Sequence, residues 1–153
     1  MSISSPTPTA QSYTNEPVRY PALKVIDLRG EAHAMTGPQA NIVLSQVNQH
    51  CLRLGVLEGE YPWHYHVHSD ELFLVLEGHL FLDFPDAPTL RVDAGQSVTV
   101  PAGMVHRTRT DTRAVNVCFE ELAADTEFVP PPADWISRES RPSARQRMAT
   151  ATG

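Results

Sequence analysis

The sequence predicts an all-β fold, a single sandwich or barrel made of many short strands. Three observations carry this expectation. Apolar residues arrive in short runs, each bounded by Gly, Pro, Asp or Asn. These runs follow one another closely through the middle of the chain, where helical periodicity is absent until the last twenty residues or so. The 153 residues suffice for one domain with one real core and leave little room for a second.

Taken in order, residues 1–20 are rich in Ser, Thr and Pro and read as a flexible N-terminal arm. Residues 21–120 carry the apolar pattern and form the predicted barrel. Its expected strands are Ala22–Leu28, Asn41–Asn48, Cys51–Glu58, Glu71–Glu77, His79–Phe84, Thr89–Val92, Ser97–Val100 and Ala114–Glu120. Gly78 stands between two of them, where a tight hairpin needs a residue free to take positive φ. Residues 121–153 contain Pro130–Pro132 and then Arg138, Arg141, Arg145 and Arg147. They read as a Pro/Arg-rich tail, solvated or in contact with another subunit.

The strand Glu71–Glu77 is apolar on both faces, since Phe73 and Val75 alternate with Leu72, Leu74 and Leu76. A strand wet on one side would place polar residues at every second position. One face must therefore fill the barrel, and the other must be covered. Beside Leu80 and Leu82, the three leucines would make an apolar patch larger than a monomer usually exposes. A two-fold homodimer, with these leucines or the N-terminal segment in the interface, is the expected remedy.

Composition narrows the partners. The formal net charge is −6, which argues against nucleic acid or an anionic membrane, because both require clustered positive charge. The first residues lack the basic and apolar regions of a secretory signal. The longest apolar run, Leu72–Leu76, is far short of the roughly 20 residues of a membrane helix. The two cysteines, Cys51 and Cys118, have no metal-finger or redox spacing and read as buried, reduced thiols. A cytoplasmic location is expected.

The chemistry is concentrated in one stretch. From His64 to Glu71 the chain carries His64, His66 and His68 together with the Glu71 carboxylate. Period-two alternation sets His64 and His66 on one face of a strand and Tyr65 on the other. After a turn, Glu71 opens the next strand and can reach the same point. Further on, a Pro101–Gly103 turn leads to His106. Imidazoles with a carboxylate suit borderline first-row metals.

These residues stand in a recognisable pattern. The chain reads Gly59-x4-His64-x-His66-x4-Glu71-x6-Gly78 and then Gly95-x5-Pro101-x-Gly103-x2-His106-x3-Thr110. It resembles the cupin family, whose motifs are written G-x5-H-x-H-x(3,4)-E-x6-G and G-x5-P-x-G-x2-H-x3-N. It departs from them by one residue fewer before His64 and by Thr110 in place of the asparagine. The resemblance covers residues 40–120 in round terms. It implies a double-stranded β-helix, or jelly-roll barrel, holding one divalent transition metal per chain through His64, His66, Glu71 and His106. Iron is the first expectation, with manganese, nickel, copper and zinc as alternatives. It also raises the expectation of a dimer.

Three further residues are pocket candidates. Trp63 flanks the histidines as a wall or lid, His68 sits in the turn outside the ligand spacing, and Arg53 either points inward to bind an anionic substrate or outward into solvent, with solvent favoured. A six-coordinate metal with four protein ligands keeps two positions for water, O2 or a bidentate small molecule. The leading expectation is an iron-dependent, dioxygenase-like oxidoreductase in which Glu71 ligates or accepts a proton. A metal-dependent isomerase, lyase or decarboxylase and a non-catalytic small-molecule sensor are the alternatives, because fold does not select chemistry.

Overall fold

The computed structural model describes residues 16–135. Its elements run α1 (Leu28–Ala34), β1 (Gln39–Val47), β2 (His50–Glu60), β3 (His64–His66), β4 (Glu71–Glu77), β5 (His79–Asp83), β6 (Leu90–Asp93), β7 (Ser97–Val100), β8 (Arg107–Glu121) and β9 (Thr126–Phe128). The first sheet has the order β1-β2-β8-β4-β7, with β5 joining β8 and β6 joining β5, and β3 pairs with β9 in a second. All of these pairs are antiparallel.

The 15-residue β8 organises the barrel. Its C-terminal half lies between β2 and β4, and its N-terminal part pairs β5 through Phe81↔Arg109 and Asp83↔Arg107. The chain passes from β4 to β5 through Gly78, which has φ 71°. A Cβ there would sit 2.6 Å from the Arg113 carbonyl oxygen. Both the left-handed backbone and the close approach therefore require glycine. The sequence reading placed only Ala114–Glu120 in this strand. Residues 107–113 escaped it because RTRTDTR is polar throughout, yet Arg107 and Thr108 are buried and their backbone is held by the sheet.

The apolar residues of β4 divide between two cores. Phe73 and Val75 join Leu57, Leu80, Leu82, Phe84, Val92, Val100 and Ala114 inside the barrel. Leu74 and Leu76 lie on the outer face of the sheet, against a second cluster of Ala32, Leu44, Leu54, Val56, Val115 and Val117. Leu80 and Leu82 are thus interior residues and do not extend an outer patch, because alternation in β5 turns them inward.

The second cluster is covered by the chain itself, though not by the strand expected at Ala22–Leu28. That segment is irregular, and Leu23 sits at φ 66° after Pro21. Leu23 and Val25 are fully exposed. The covering is done by Tyr20, Ile26, Leu28 and Met35 around α1. Residues 16–20 are also part of the fold: Arg19 and Tyr20 donate their N–H groups to the carbonyls of Val43 and Leu44.

The C-terminal boundary also shifts. The tail expected from residue 121 begins as part of the barrel, because β9 pairs β3 through His64↔Phe128 and His66↔Thr126. Trp135 is buried with its ring 5.2 Å from that of Trp63. The Arg107 guanidinium lies 5.2 and 5.4 Å from these two rings, a cation–π arrangement that fastens the segment. The expected flexible residues 1–15 and the arginines from Arg138 onward lie outside the described residues. No helix among the described residues is long and apolar enough to cross a membrane.

Candidate metal centre

His64 and His66 point into the barrel from β3, Glu71 from the start of β4, and His106 from just before β8. One ligand atom from each of the four lies within 4.8 Å of every other, and all four residues are buried. Backbone hydrogen bonds lock the frame. The His64 N–H donates to the His106 carbonyl at 3.0 Å and the His106 N–H returns the bond at 2.9 Å. Gly103, at φ 79°, donates its N–H to the His66 carbonyl at 2.7 Å. Asp70 accepts the Ala102 N–H at 2.8 Å, tying the turn between β3 and β4 to the turn that delivers His106.

The imidazoles are oriented from behind. His64 Nδ1–H donates to the Pro62 carbonyl at 2.7 Å, and His106 Nδ1–H donates to the Met104 carbonyl at 2.9 Å. A carbonyl can only accept, so both Nδ1 atoms carry protons, and each ring turns its Nε2 toward the centre. His66 Nδ1 meets the Thr126 hydroxyl at 3.1 Å. Such rear hydrogen bonds are what metal-ligating histidines use to fix ring and tautomer.

This donor set fits a cation. Glu71 Oε2 lies 2.9 Å from His66 Nε2 and 3.3 Å from His106 Nε2. His66 Nε2 and His106 Nε2 thus converge on one oxygen of a buried carboxylate. A carboxylate oxygen and imidazole nitrogens so placed are held together by a proton or a metal ion between them. A divalent first-row ion bound by three Nε2 atoms and Glu71 satisfies every one of them.

The protonation tendencies differ from group to group. Burial, reinforced by His106, pushes His64 down to about 4, so it is a neutral donor near pH 7. Burial also opposes charge on His66, but the hydrogen bond and charge of Glu71 outweigh it and raise that group. Burial alone would raise Glu71, yet its hydrogen bonds to His106 and His66 hold it well below the usual carboxylate range.

The centre opens on a cavity of about 70 Å³ inside the barrel, lined also by Tyr61, Phe73, Asn116, Cys118 and Glu120. Of the three pocket candidates, only Arg53 borders it. Arg53 is 2% exposed, so the expectation that it is solvated is overturned. Its Nε donates to Glu120 Oε1 at 3.0 Å, and its terminal nitrogen meets Asn41 Oδ1 at 3.3 Å and the Glu16 carboxylate. Trp63 is buried against Trp135, away from the cavity. His68 is exposed and faces Asp125 at 3.3 Å, since the turn directs it outward.

Glu120, Asn116 and Thr126 were not anticipated. The signal for the first two was present: in β8, Ala114, Asn116, Cys118 and Glu120 share one face by alternation, and polar residues on a buried face mark a lined pocket. Burial and the Glu71 charge raise Glu120 to about 7, against the pull of His66 and Arg53.

A barrel of this topology with three inward imidazoles and one carboxylate defines a class, and the comparisons agree: residues 54–119 match the Cupin domain model, and the chain belongs to the cupin family. It is 46% identical over 106 residues to protein YdbB of Bacillus subtilis (strain 168), covering 69% of this chain and 94% of YdbB. It is 41% identical over 59 residues to the acireductone dioxygenase of Heterostelium pallidum, covering 35% of this chain and 40% of that enzyme. Among solved structures, a cupin-2 domain protein from Shewanella frigidimarina superposes with a TM-score of 0.60 at 27% identity, covering 63% of this chain and 94% of that one.

Proposed function

We propose that this cupin is a metalloenzyme acting on a small molecule, of the iron-dependent, dioxygenase-like oxidoreductase kind. The observation that carries the reading is the arrangement of His64, His66, Glu71 and His106, their donor atoms within 4.8 Å at the edge of a cavity inside the barrel. A metal bound there supplies Lewis acidity and open positions for small ligands. The residues do the rest: rear hydrogen bonds hold the imidazoles in place, and Glu71, the proposed catalytic residue, ligates or accepts a proton. The partial likeness to an acireductone dioxygenase supports oxygen chemistry over the isomerase, lyase, decarboxylase or sensor alternatives.

The remaining expectations are retained as part of the proposal. The chain is taken to work in the cytoplasm as a homodimer, through Leu23, Val25 and the outer-face leucines of β4, without nucleic acid or membrane partners.

Elemental analysis of protein purified without added metal or a chelating tag tests the reading. It should find about one first-row transition metal per chain, with iron the leading ion. Oxygen uptake is then screened over small oxygen-bearing compounds. Metal-free protein that takes up no first-row ion would overturn the proposal. Metal-loaded protein that turns over substrates without consuming oxygen would move it to the isomerase and lyase chemistries.

A further inference from the structure

Among the described residues, one buried side-chain oxygen on the cavity has no hydrogen-bond partner. Glu120 Oε1 accepts from Arg53, but Glu120 Oε2 is buried and has no hydrogen-bond partner. The side chain is 5% exposed, and Oε2 stands 3.5 Å from His66 Nε2, on the same cavity as His64, His66 and Glu71. A buried carboxylate oxygen without a donor is costly, and native proteins rarely tolerate one without a reason.

The surroundings of Glu120 indicate what the partner must bring. The Arg53 guanidinium already faces Glu120, Glu16 and Asn41, so it is committed to carboxylates and not arranged to receive an anion. A ligand that meets Glu120 Oε2 must therefore offer a donor.

We propose that Glu120 is the ligand-recognising residue of this pocket, its Oε2 accepting a hydrogen bond from a hydroxyl or N–H group of a small molecule that also contacts the four-residue centre. The inference rests on the metal reading of that centre. It explains why a carboxylate is placed so close to the histidines without sharing in their cluster. It also gives Arg53 a role as the positioning residue that fixes which Glu120 oxygen faces the cavity.

The test uses protein loaded with Zn2+ and calorimetric titration at pH 8 with acetohydroxamic acid and N-methylacetohydroxamic acid. Both chelate through the same two oxygens, and only the first keeps an N–H. Relative to the same ratio measured for Zn2+ in buffer, the wild type should favour acetohydroxamic acid by about tenfold, as expected for a hydrogen bond to a charged acceptor. In Glu120→Gln, Arg53 Nε–H holds the amide oxygen and the NH2 faces the cavity, donor against donor. The preference should vanish while zinc content stays at one per chain. If this variant does not fold, Glu120→Asp, which withdraws the oxygen by one methylene, carries the same expectation. Equal wild-type affinities, or a preference that survives in the variant, overturn the inference while leaving the metal reading intact. Loss of zinc from the variant also overturns it, by making Glu120 a ligand. A wild type that binds no zinc overturns both.

Discussion

His66 Nδ1 and the hydroxyl of Thr126 lie 3.1 Å apart although the two residues are separated by 60 positions. The pairing of β3 with β9 sets His66 directly opposite Thr126. The segment after β8 therefore reaches back to orient an imidazole of the centre.

Thr126→Val tests that role. Valine keeps the shape and removes the hydroxyl, leaving His66 free to turn. Metal affinity, measured by competition with a chromophoric chelator, should fall by about 10- to 100-fold, the usual effect of removing a ligand's rear hydrogen bond. The melting temperature of the metal-free protein should change little. Unchanged affinity would mean that the sheet alone holds the ring.

The double substitution His64→Ala and His66→Ala should abolish metal binding and leave the barrel folded. The site is built on strands whose core is assembled without it, unlike a zinc finger that folds only with metal. Far-ultraviolet circular dichroism and elemental analysis of the same sample decide this. Full metal occupancy in the double variant would remove the assignment.

The thiols give a pH-dependent expectation. Burial pushes Cys51 from an ordinary 9.0 up to about 11, and burial beside Glu71 raises Cys118 well above its ordinary value. Both should resist a thiol-specific disulfide reagent in the native protein at pH 8 and react only on unfolding, since the thiolate is the reactive form. The folded state favours the protonated thiol, so this contribution to stability is complete below pH 9.0 and is lost as pH rises toward about 11. Stoichiometric labelling of native protein at pH 8 would contradict the burial.

The proposed dimer is checked by sedimentation equilibrium. The expected mass is twice 16.9 kDa. The double change Leu23→Asp and Val25→Asp should return it to the monomer, because both side chains are solvent-exposed in the single chain and offer apolar surface only to a partner. A mass of 16.9 kDa that persists at high protein concentration would show that α1 and Tyr20 cover enough of the outer face.

Local spacing made the four-residue centre legible. His64 and His66 share a face because strands alternate, Glu71 follows after one turn, and His106 is announced by the Pro101–Gly103 turn. Each relation spans a few residues, and so survives in a linear reading. The all-β class was legible for the same reason, as was the need to cover both faces of β4.

What only the tertiary structure decided are relations that cross the sheet. Arg53 meets Glu120 across 67 positions because β2 pairs β8, and Thr126 meets His66 because β9 pairs β3. Nothing in the spacing of those residues encodes the pairing. The same holds for the covering of the outer core by α1, where the sequence shows apolar residues on Ala22–Leu28 but not whether they will pair as a strand or leave Leu23 and Val25 in solvent. Strand register and layer packing are settled by the burial of the whole sheet at once, so a buried Arg53 and a solvated one look alike until the partner strand is in place.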